Sequence, residues 1–279
     1  MVFGGGTLLN AYKSSKTLLL ITFIIFIARI LKVKVYGVGL GIGKIESLSS
    51  KILVKYILTN FDNLGLRDKK SFDIAKSIAD NMNIELTADI SFNRKHTSYK
   101  KLNKNKVIAI SMVEAFVDSD KYKFIIDMIY QTVLYCQSNG YIIKFYSFQE
   151  GSYSDSKVFQ NMIDKYAFQN VEIEYINILD NNLDFKFQNI DIFIGMRFHG
   201  LVLSAINGTP FIGFSTDHKV FDICDKYSMP YSNMDNISYD WLVQSINLVK
   251  NIVIDDNIEK ELTLLSKKNW TFLNEKEGD

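Results

Sequence analysis

Residues 189–219 constrain the fold more than any other stretch of the sequence. They contain an apolar run at 190–194, a segment of helical character at 201–206 and a second apolar run at 211–214. Pro210 prevents the helix from continuing. A strand, a crossover helix and a second strand within this length predict a βαβ unit in a parallel sheet.

Polar residues follow both predicted strands of this unit. Arg197 and His199 come after the first strand, and Ser215 to Lys219 come after the second. The carboxyl ends of parallel strands meet at one edge of the sheet, where α/β proteins bind ligands. Both polar clusters are therefore predicted to open onto the same edge.

Arg197 and His199 are the candidate catalytic residues. Arginine offers a fixed fork of donors to a carboxylate or phosphate, and histidine can carry a proton near neutral pH. Their alternate spacing points both side chains the same way if the turn is extended. Gly200 would let a ligand approach the helix start, where backbone N–H groups favour an anion. The alternative is a buried arginine paired with an acidic residue, beside a hydrogen-bonded structural histidine.

Composition limits the functional classes. The chain has 279 residues, 47% hydrophobic and 23% charged, which fits one large or two medium globular domains. The net charge of +1 gives no global field for nucleic acid. Cys136 and Cys224 form no C-x-x-C pair, and no cluster of metal-ligand type is present, so we expect no metal and a cytoplasmic location.

Residues 17–28 form one strongly apolar run. Its 12 residues before Arg29 are fewer than the roughly 20 needed to span a bilayer. We expect a buried helix leading into a strand at 33–38. The alternative is interfacial attachment to a membrane.

Two glycine-rich turns follow predicted strands in the first part of the chain. Gly4, Gly5, Gly6 and Thr7 form the first, and the second, at 39–44, includes Gly41 and Gly43. Three consecutive glycines permit close backbone approach to a ligand, or form a plain flexible turn. The second turn is neither a dinucleotide fingerprint nor a P-loop, because Ile42, Lys44 and Ile45 occupy positions that those motifs reserve for other residues.

Strands and helices alternate in two blocks. A basic, polar stretch at 94–106 reads as a linker, so the predicted domains are 1–93 and 107–279. The remaining predicted strands are 85–90, 107–112, 141–147 and 171–175, and the remaining helices are 47–58, 71–81, 121–138, 154–166, 221–227, 241–251 and 257–272.

The combined motifs resemble the polysaccharide pyruvyl transferase family over roughly residues 2–235. The similarity rests on the strand and R-x-H-G at 191–200, on Gly208-Thr209-Pro210 and on Lys219. It also rests on the two glycine-rich turns and on Arg67-Asp68 with Ser71. Arg67-Asp68 alone could be a local ion pair at a helix start.

The resemblance implies an α/β fold of two Rossmann-like domains facing across a cleft, similar to glycosyltransferase type B enzymes. Family members usually carry a further strand–helix region before the first glycine-rich turn, so the resemblance implies a truncated N-terminal domain. Where the family commonly has Tyr-Asp-Pro, this chain has Thr216-Asp217-His218.

The resemblance also implies transfer of a pyruvyl group from phosphoenolpyruvate to a sugar of a bacterial cell-surface polysaccharide, forming a pyruvate ketal. No cofactor is expected beyond the donor. The acceptor is expected to be a saccharide or lipid-linked oligosaccharide. Peripheral association with a membrane is also expected to be possible, and nucleic acid is not an expected partner. The implied binding residues are Gly4, Gly5, Gly6, Thr7, Gly41, Gly43, Arg67, Asp68, Gly200, Ser215 and Lys219. The alternatives are a sugar-nucleotide glycosyltransferase of the same architecture and a non-catalytic binding remnant.

Overall fold

The computed structural model describes residues 1–11, 15–45, 47–79, 83–94, 106–113, 120–149, 151, 154–168, 170–177, 179–180 and 182–274. The chain forms two compact units. The first comprises Met1–Arg94 with Glu259–Asp279, and the second comprises Lys95–Ile258. Apart from Arg94 and Lys106, the predicted linker at 94–106 lies outside the described residues.

The first unit contains a parallel sheet with helices in its crossovers. Its elements are β1 (Val2–Gly4), α1 (Lys16–Ile30), β2 (Tyr36–Leu40), α2 (Leu48–Thr59), β3 (Asn63–Leu66), α3 (Lys69–Ile78) and β4 (Ile84–Leu86), followed by a 3-10 turn at Ile90–Asn93. The strand order is β1-β2-β3-β4, with Gly37 opposite both Phe3 and Leu64. Because each strand adds to the same side of its predecessor, the three right-handed crossovers put α1, α2 and α3 on one face of the sheet.

The second unit contains a six-stranded parallel sheet. Its elements are β5 (Lys106–Ser111), α4 (Asp120–Ser138), β6 (Tyr141–Ser147), α5 (Asp155–Tyr166), β7 (Val171–Tyr175), α6 (Leu183–Gln188), β8 (Ile192–Gly195), α7 (Phe198–Ile206), β9 (Phe211–Ser215), α8 (His218–Lys226), β10 (Tyr231–Asn233) and α9 (Tyr239–Val249). The strand order is β10-β9-β8-β5-β6-β7. The chain builds outward from β5 in one direction and then returns to add β8 on the other side. The point where the direction reverses, between β5 and β8, is where such sheets bind ligands.

The predicted βαβ unit is confirmed. Strands β8 and β9 are parallel neighbours, with Ile194 opposite Ile212, and α7 connects them. Both strands are fully buried, which explains their continuous apolar sequence. The expectation of an α/β fold with parallel sheets is likewise confirmed.

The last helix differs from the sequence-based assignment. The sequence places all of 107–279 in the second domain, whereas residues 259–279, and with them most of α10 (Asp256–Asn274), pack with the first unit. The buried amide of Asn269 accepts a hydrogen bond from Gly39 N at 2.7 Å and donates one to Ala88 O at 2.9 Å. Periodicity identifies a helix but not the core on which it packs, so the sequence could not show this return.

The expectation for residues 17–28 is only half right. They lie in a helix, α1, but only one face is buried, through Leu18, Ile21, Ile25 and Ala28. The other face is exposed. In the part of the chain that the structure describes, no helix combines the length and the apolar character needed to cross a membrane.

Candidate functional site

Arg197 marks the boundary between strand β8 and helix α7. Its backbone is extended, with φ −84° and ψ 114°, and the helix begins at Phe198. His199 therefore lies in the first helical turn, where its side chain is exposed. The expectation that an extended turn points Arg197 and His199 the same way is wrong, because the helix starts one residue after Arg197.

The fork of Arg197 holds Asp155, at the start of α5. Arg197 Nε lies 3.1 Å from Asp155 Oδ2, and Nη2 lies 2.5 Å from Oδ1. The Asp155 side chain is 0% exposed, against 23% for Arg197, and its Oδ2 also accepts the amide of Phe148. Gln149 Oε1 accepts a further hydrogen bond from Nη2. This is the buried pairing that the sequence leaves open as the alternative for Arg197. Its Nη1 makes no hydrogen bond to the described residues.

Lys219 brings the two polar clusters together. Its Nζ lies 5.8 Å from the centroid of the Phe198 ring, at the start of α7, and 3.0 Å from Asp217 Oδ2. The predicted common edge therefore contains Arg197, His199 and Lys219. Lys219 and Asp217 are both partly exposed, so their pairing is weak and a ligand can displace it.

The remaining residues of the second loop shape helix α8. Asp217 caps the helix by accepting the amide of Lys219 at 3.2 Å, and Ser215 Oγ accepts the amide of Asp217 at 3.1 Å. Helix α7 differs, because the side chain of its N-cap residue, Arg197, makes no capping hydrogen bond. The partial positive charge at the start of α7 is thus left without a side-chain acceptor from the capping position.

Ser111 lies at the reversal point of the sheet. It ends β5 directly opposite Gly195 of β8, and its backbone carbonyl accepts the amide of Met196 at 3.2 Å. Its hydroxyl is buried and has no hydrogen-bond partner among the described residues. Sequence reasoning did not find Ser111, although its place at the end of a predicted strand was the available signal.

Gly200 has a packing role that the sequence did not indicate. A Cβ at this position would lie 2.3 Å from Cζ of Phe193 and 3.1 Å from Cζ of Phe148. The glycine therefore admits aromatic rings beneath the first turn of α7. We expected Gly200 to let a ligand approach, but these rings leave no room for one on that side of the backbone.

Arg67 is the centre of a second cluster, in the first unit. Its Nη1 lies 2.7 Å from Asp89 Oδ2, and its Nη2 donates to Thr7 Oγ1 at 3.0 Å. Both charged side chains are about 95% buried. Gly41 passes so close that a Cβ there would lie 3.1 Å from Arg67 Nε. The first glycine turn, Gly41 and Arg67 thus come together as expected, but the charge of Arg67 is matched internally by Asp89.

The glycines of this cluster serve different purposes. Gly5 and Gly6 adopt φ values of +63° and +72°, which only glycine takes readily, so the first turn requires them. A Cβ at Gly4 would make an ordinary van der Waals contact with Val38, so the packing there does not require glycine. A Cβ at Gly43 would clash with the side chain of Asn10, so Gly43 is needed for packing.

Asp68 and Ser71 organise the start of α3. Asp68 accepts the amide of Ser71 at 2.7 Å and its hydroxyl at 2.9 Å, as the capping pattern predicts. Ser71 Oγ in turn accepts the amide of Ile42 at 2.8 Å. These two side chains therefore connect α3 to the second glycine-rich turn.

Asp155 and Asn269 are the other site-shaping residues that sequence reasoning missed. Each hydrogen-bonds groups more than 40 residues away, at separations of 42 residues for Asp155 and 230 for Asn269. Their positions within predicted helices gave no indication of those partners.

The cysteines are unsuited to nucleophilic catalysis. Both are buried, and burial raises the pKa of Cys136 to about 12 and also raises the pKa of Cys224. Each thiol is therefore protonated at neutral pH. Among the described residues, no three His, Cys, Asp or Glu side chains are grouped as metal ligands.

Several solved structures share the fold of this chain. UDP-GlcNAc 2-epimerase from Methanocaldococcus jannaschii aligns with a TM-score of 0.63 and 12% identity, over 91% of this chain and 74% of that one. The UDP-forming trehalose-phosphate synthase from Burkholderia xenovorans gives 0.54 and 9%, over 90% and 69%. TarM from S. aureus gives 0.54 and 14%, over 91% of this chain and 55% of that one. At these identities the likeness shows the fold alone.

Comparison with curated protein sequences found no match. The family model described as "Polysaccharide pyruvyl transferase" matches residues 1–218. This match spans both glycine-rich turns, Arg67-Asp68 and the R-x-H-G motif, and it covers most of the chain. The protein therefore belongs to the polysaccharide pyruvyl transferase family.

Proposed function

We propose that this protein transfers a pyruvyl group from phosphoenolpyruvate to two hydroxyls of a sugar in a surface polysaccharide. The observation that carries the proposal is the meeting of Lys219 with the start of α7, beside Arg197 and His199. A donor with both a phosphate and a carboxylate requires several cationic or N–H groups in one place. This edge of the second unit supplies them.

Lys219 and Arg197 have different parts in this proposal. The partly exposed Lys219 can exchange Asp217 for a donor phosphate at little cost. Arg197 is held by fully buried Asp155, so it contributes a fixed positive charge and its remaining Nη1. The N–H groups and dipole at the start of α7 add to the attraction for an anion. Ser111 ends β5 at the same edge, with its hydroxyl fully buried and without a partner among the described residues.

His199 is the proposed proton carrier. Protonation of C3 of phosphoenolpyruvate makes C2 electrophilic, and one sugar hydroxyl adds there. The second hydroxyl then attacks C2 and expels phosphate, so that the products are the cyclic ketal and inorganic phosphate. The exposed position of His199 in the first turn of α7 leaves it accessible to both substrates.

The test measures phosphate release from phosphoenolpyruvate with a saccharide acceptor, together with donor binding by calorimetry. His199→Gln should lower the rate about 10²–10⁴-fold while keeping donor affinity. Lys219→Met should instead weaken donor binding by about ten-fold or more, the effect of losing one charge-assisted contact. Lys226→Met, on the same helix and exposed, is the matched control and should change neither quantity.

The result that would contradict the proposal is turnover that depends on a nucleotide sugar and not on phosphoenolpyruvate. The solved epimerase from Methanocaldococcus jannaschii has been seen with UDP-GlcNAc and UDP, so UDP-sugars are the competing donors to assay. Unchanged kinetics in His199→Gln would place the proton carrier elsewhere, and His218, at the start of α8, would be the next residue to replace.

A further inference from the structure

Helix α1 presents a continuous apolar face at the surface. The face consists of side chains that are 39% to 61% exposed and recur at helical spacing: Leu19, Leu20, Phe23, Phe26, Ile27 and Ile30. The opposite face carries the buried residues that pack into the core of the first unit. The helix is thus hydrophobic all round although it lies at the surface, an arrangement that marks an interaction site.

The apolar surface extends beyond α1. Helix α1 packs against α2, and Ser15 Oγ lies 3.0 Å from Ser50 Oγ where the two helices begin. Leu48 and Ile52, one turn apart on α2, are 75% and 62% exposed. Leu31 continues the surface just past the end of α1. We call these residues and the outer face of α1 the apolar patch.

The charge around the apolar patch is strongly positive. Residues 1–61 contain eight Lys or Arg and a single Glu, whereas the whole chain has 32 basic and 31 acidic residues. The rest of the chain therefore holds 24 basic residues against 30 acidic ones. Five of the lysines flank the patch and are exposed: Lys16, Lys32, Lys34, Lys51 and Lys55. Arg29 does not add to this field, because Asp62 pairs with it at 3.1 Å.

We propose that the apolar patch docks on the surface of an anionic phospholipid bilayer. Helix α1 lies along the interface with its outer face in the headgroup–acyl boundary, and the flanking lysines contact lipid phosphates. Its 15 residues span only about three quarters of the hydrocarbon core, so it rests on the bilayer and does not cross it. A second copy of this chain is a poor occupant, because two strongly cationic surfaces would face each other.

The proposal does not depend on the catalytic assignment, since the patch uses none of the residues placed in the reaction. It is tested by flotation of the full chain with vesicles of phosphatidylcholine alone and of equal parts phosphatidylcholine and phosphatidylglycerol. We expect binding to the anionic vesicles only, reduced at high salt because screening weakens the lysine contacts.

Two pairs of substitutions separate the apolar and charged contributions. Phe23→Gln with Ile30→Gln should abolish flotation, and Leu248→Gln, at 61% exposure outside the patch, should not. Lys32→Glu with Lys34→Glu should lower the partition coefficient by at least about 20-fold, since each lysine near an anionic surface is worth roughly five-fold. Lys267→Glu with Lys268→Glu, also exposed, is the charge control and should leave flotation unchanged.

Three outcomes would overturn the proposal. The first is failure of the parent protein to float with anionic vesicles. The second is equal loss of flotation in the patch variants and their controls. The third is a concentration-dependent dimer, detected by light scattering, that Phe23→Gln with Ile30→Gln dissolves while vesicle binding is absent, since this would make a second copy the occupant.

Discussion

At the scale of single residues, the two arginines of the family motifs are both committed to internal partners. Arg197 is held by Asp155 and Arg67 by Asp89, at 2.5 Å and 2.7 Å. In each pair the carboxylate is buried by 96% or more, so loss of the arginine would leave a charge uncompensated in the interior. Each arginine therefore first stabilises the conformation of its own loop and neutralises a buried carboxylate.

Arg67→Met is expected to lower the free energy of unfolding by about 3–5 kcal/mol, because Asp89 would lose its buried countercharge. The measurement is urea denaturation followed by circular dichroism. Lys69→Met is the control, since Lys69 pairs with Asp73 at 2.8 Å on the surface and should change stability by less than about 1 kcal/mol.

Combining Arg67→Met with Asp89→Leu should destabilise the protein less than the sum of the two single changes, because the double variant leaves no unpaired charge. Equal losses of unfolding free energy in Arg67→Met and Lys69→Met would show that the buried pair with Asp89 contributes no more to stability than a surface pair. Strict additivity of the two losses in the double variant would lead to the same conclusion.

At the scale of elements, the start of α7 shows what the sequence could and could not reveal. The strand, the helix and the next strand were all predictable, because apolar runs of strand length and Pro210 delimit them. The first turn of the helix was not predicted, because the predicted helix began at Leu201 and the actual one begins at Phe198. The three additional residues place His199 on the helix and not in an extended turn with Arg197.

Gly200→Ala tests the packing beneath this first turn. The new methyl group would clash with the ring of Phe193, 2.3 Å from its position, and α7 would have to shift. We expect a loss of about 1–3 kcal/mol in stability, the usual cost of overpacking a core. Adding Phe193→Leu should recover part of that loss. A Gly200→Ala variant as stable as the parent protein would mean that the rings move aside freely.

At the scale of the whole molecule, the sequence predicted both parallel sheets but not the residues that complete them. Alternation of strands and helices indicates the fold class, since local periodicity sets each element. The return of α10 to the first unit depends on a contact between residues 39 and 269, which no local pattern encodes. The buried partner of Arg197 is 42 residues away in the chain and was hidden for the same reason.

Asn269 is where that return can be tested. Its fully buried amide accepts from Gly39 N at 2.7 Å and donates to Ala88 O at 2.9 Å and Ser266 O at 3.1 Å, so it links α10 to the backbone beside two strands. Asn269→Asp keeps the acceptor but puts a carboxylate against two carbonyl oxygens. We expect a loss of about 2–5 kcal/mol at neutral pH.

The pH dependence of Asn269→Asp distinguishes a buried charge from a simple packing defect. Burial and the facing carbonyls favour the protonated carboxyl, so its pKa in the folded protein should lie above the unfolded value of about 3.9. The penalty relative to the parent is then smallest below about pH 4, where the carboxyl is protonated in both states, and it grows as pH rises through the folded-state pKa. Urea denaturation at several pH values measures it, and faster hydrogen exchange at the Gly39 amide reports the site itself. Asn247→Asp, at an exposed position of α9, should show neither effect. A pH-independent loss would mean that Asn269 serves only to fill space between α10 and the sheet.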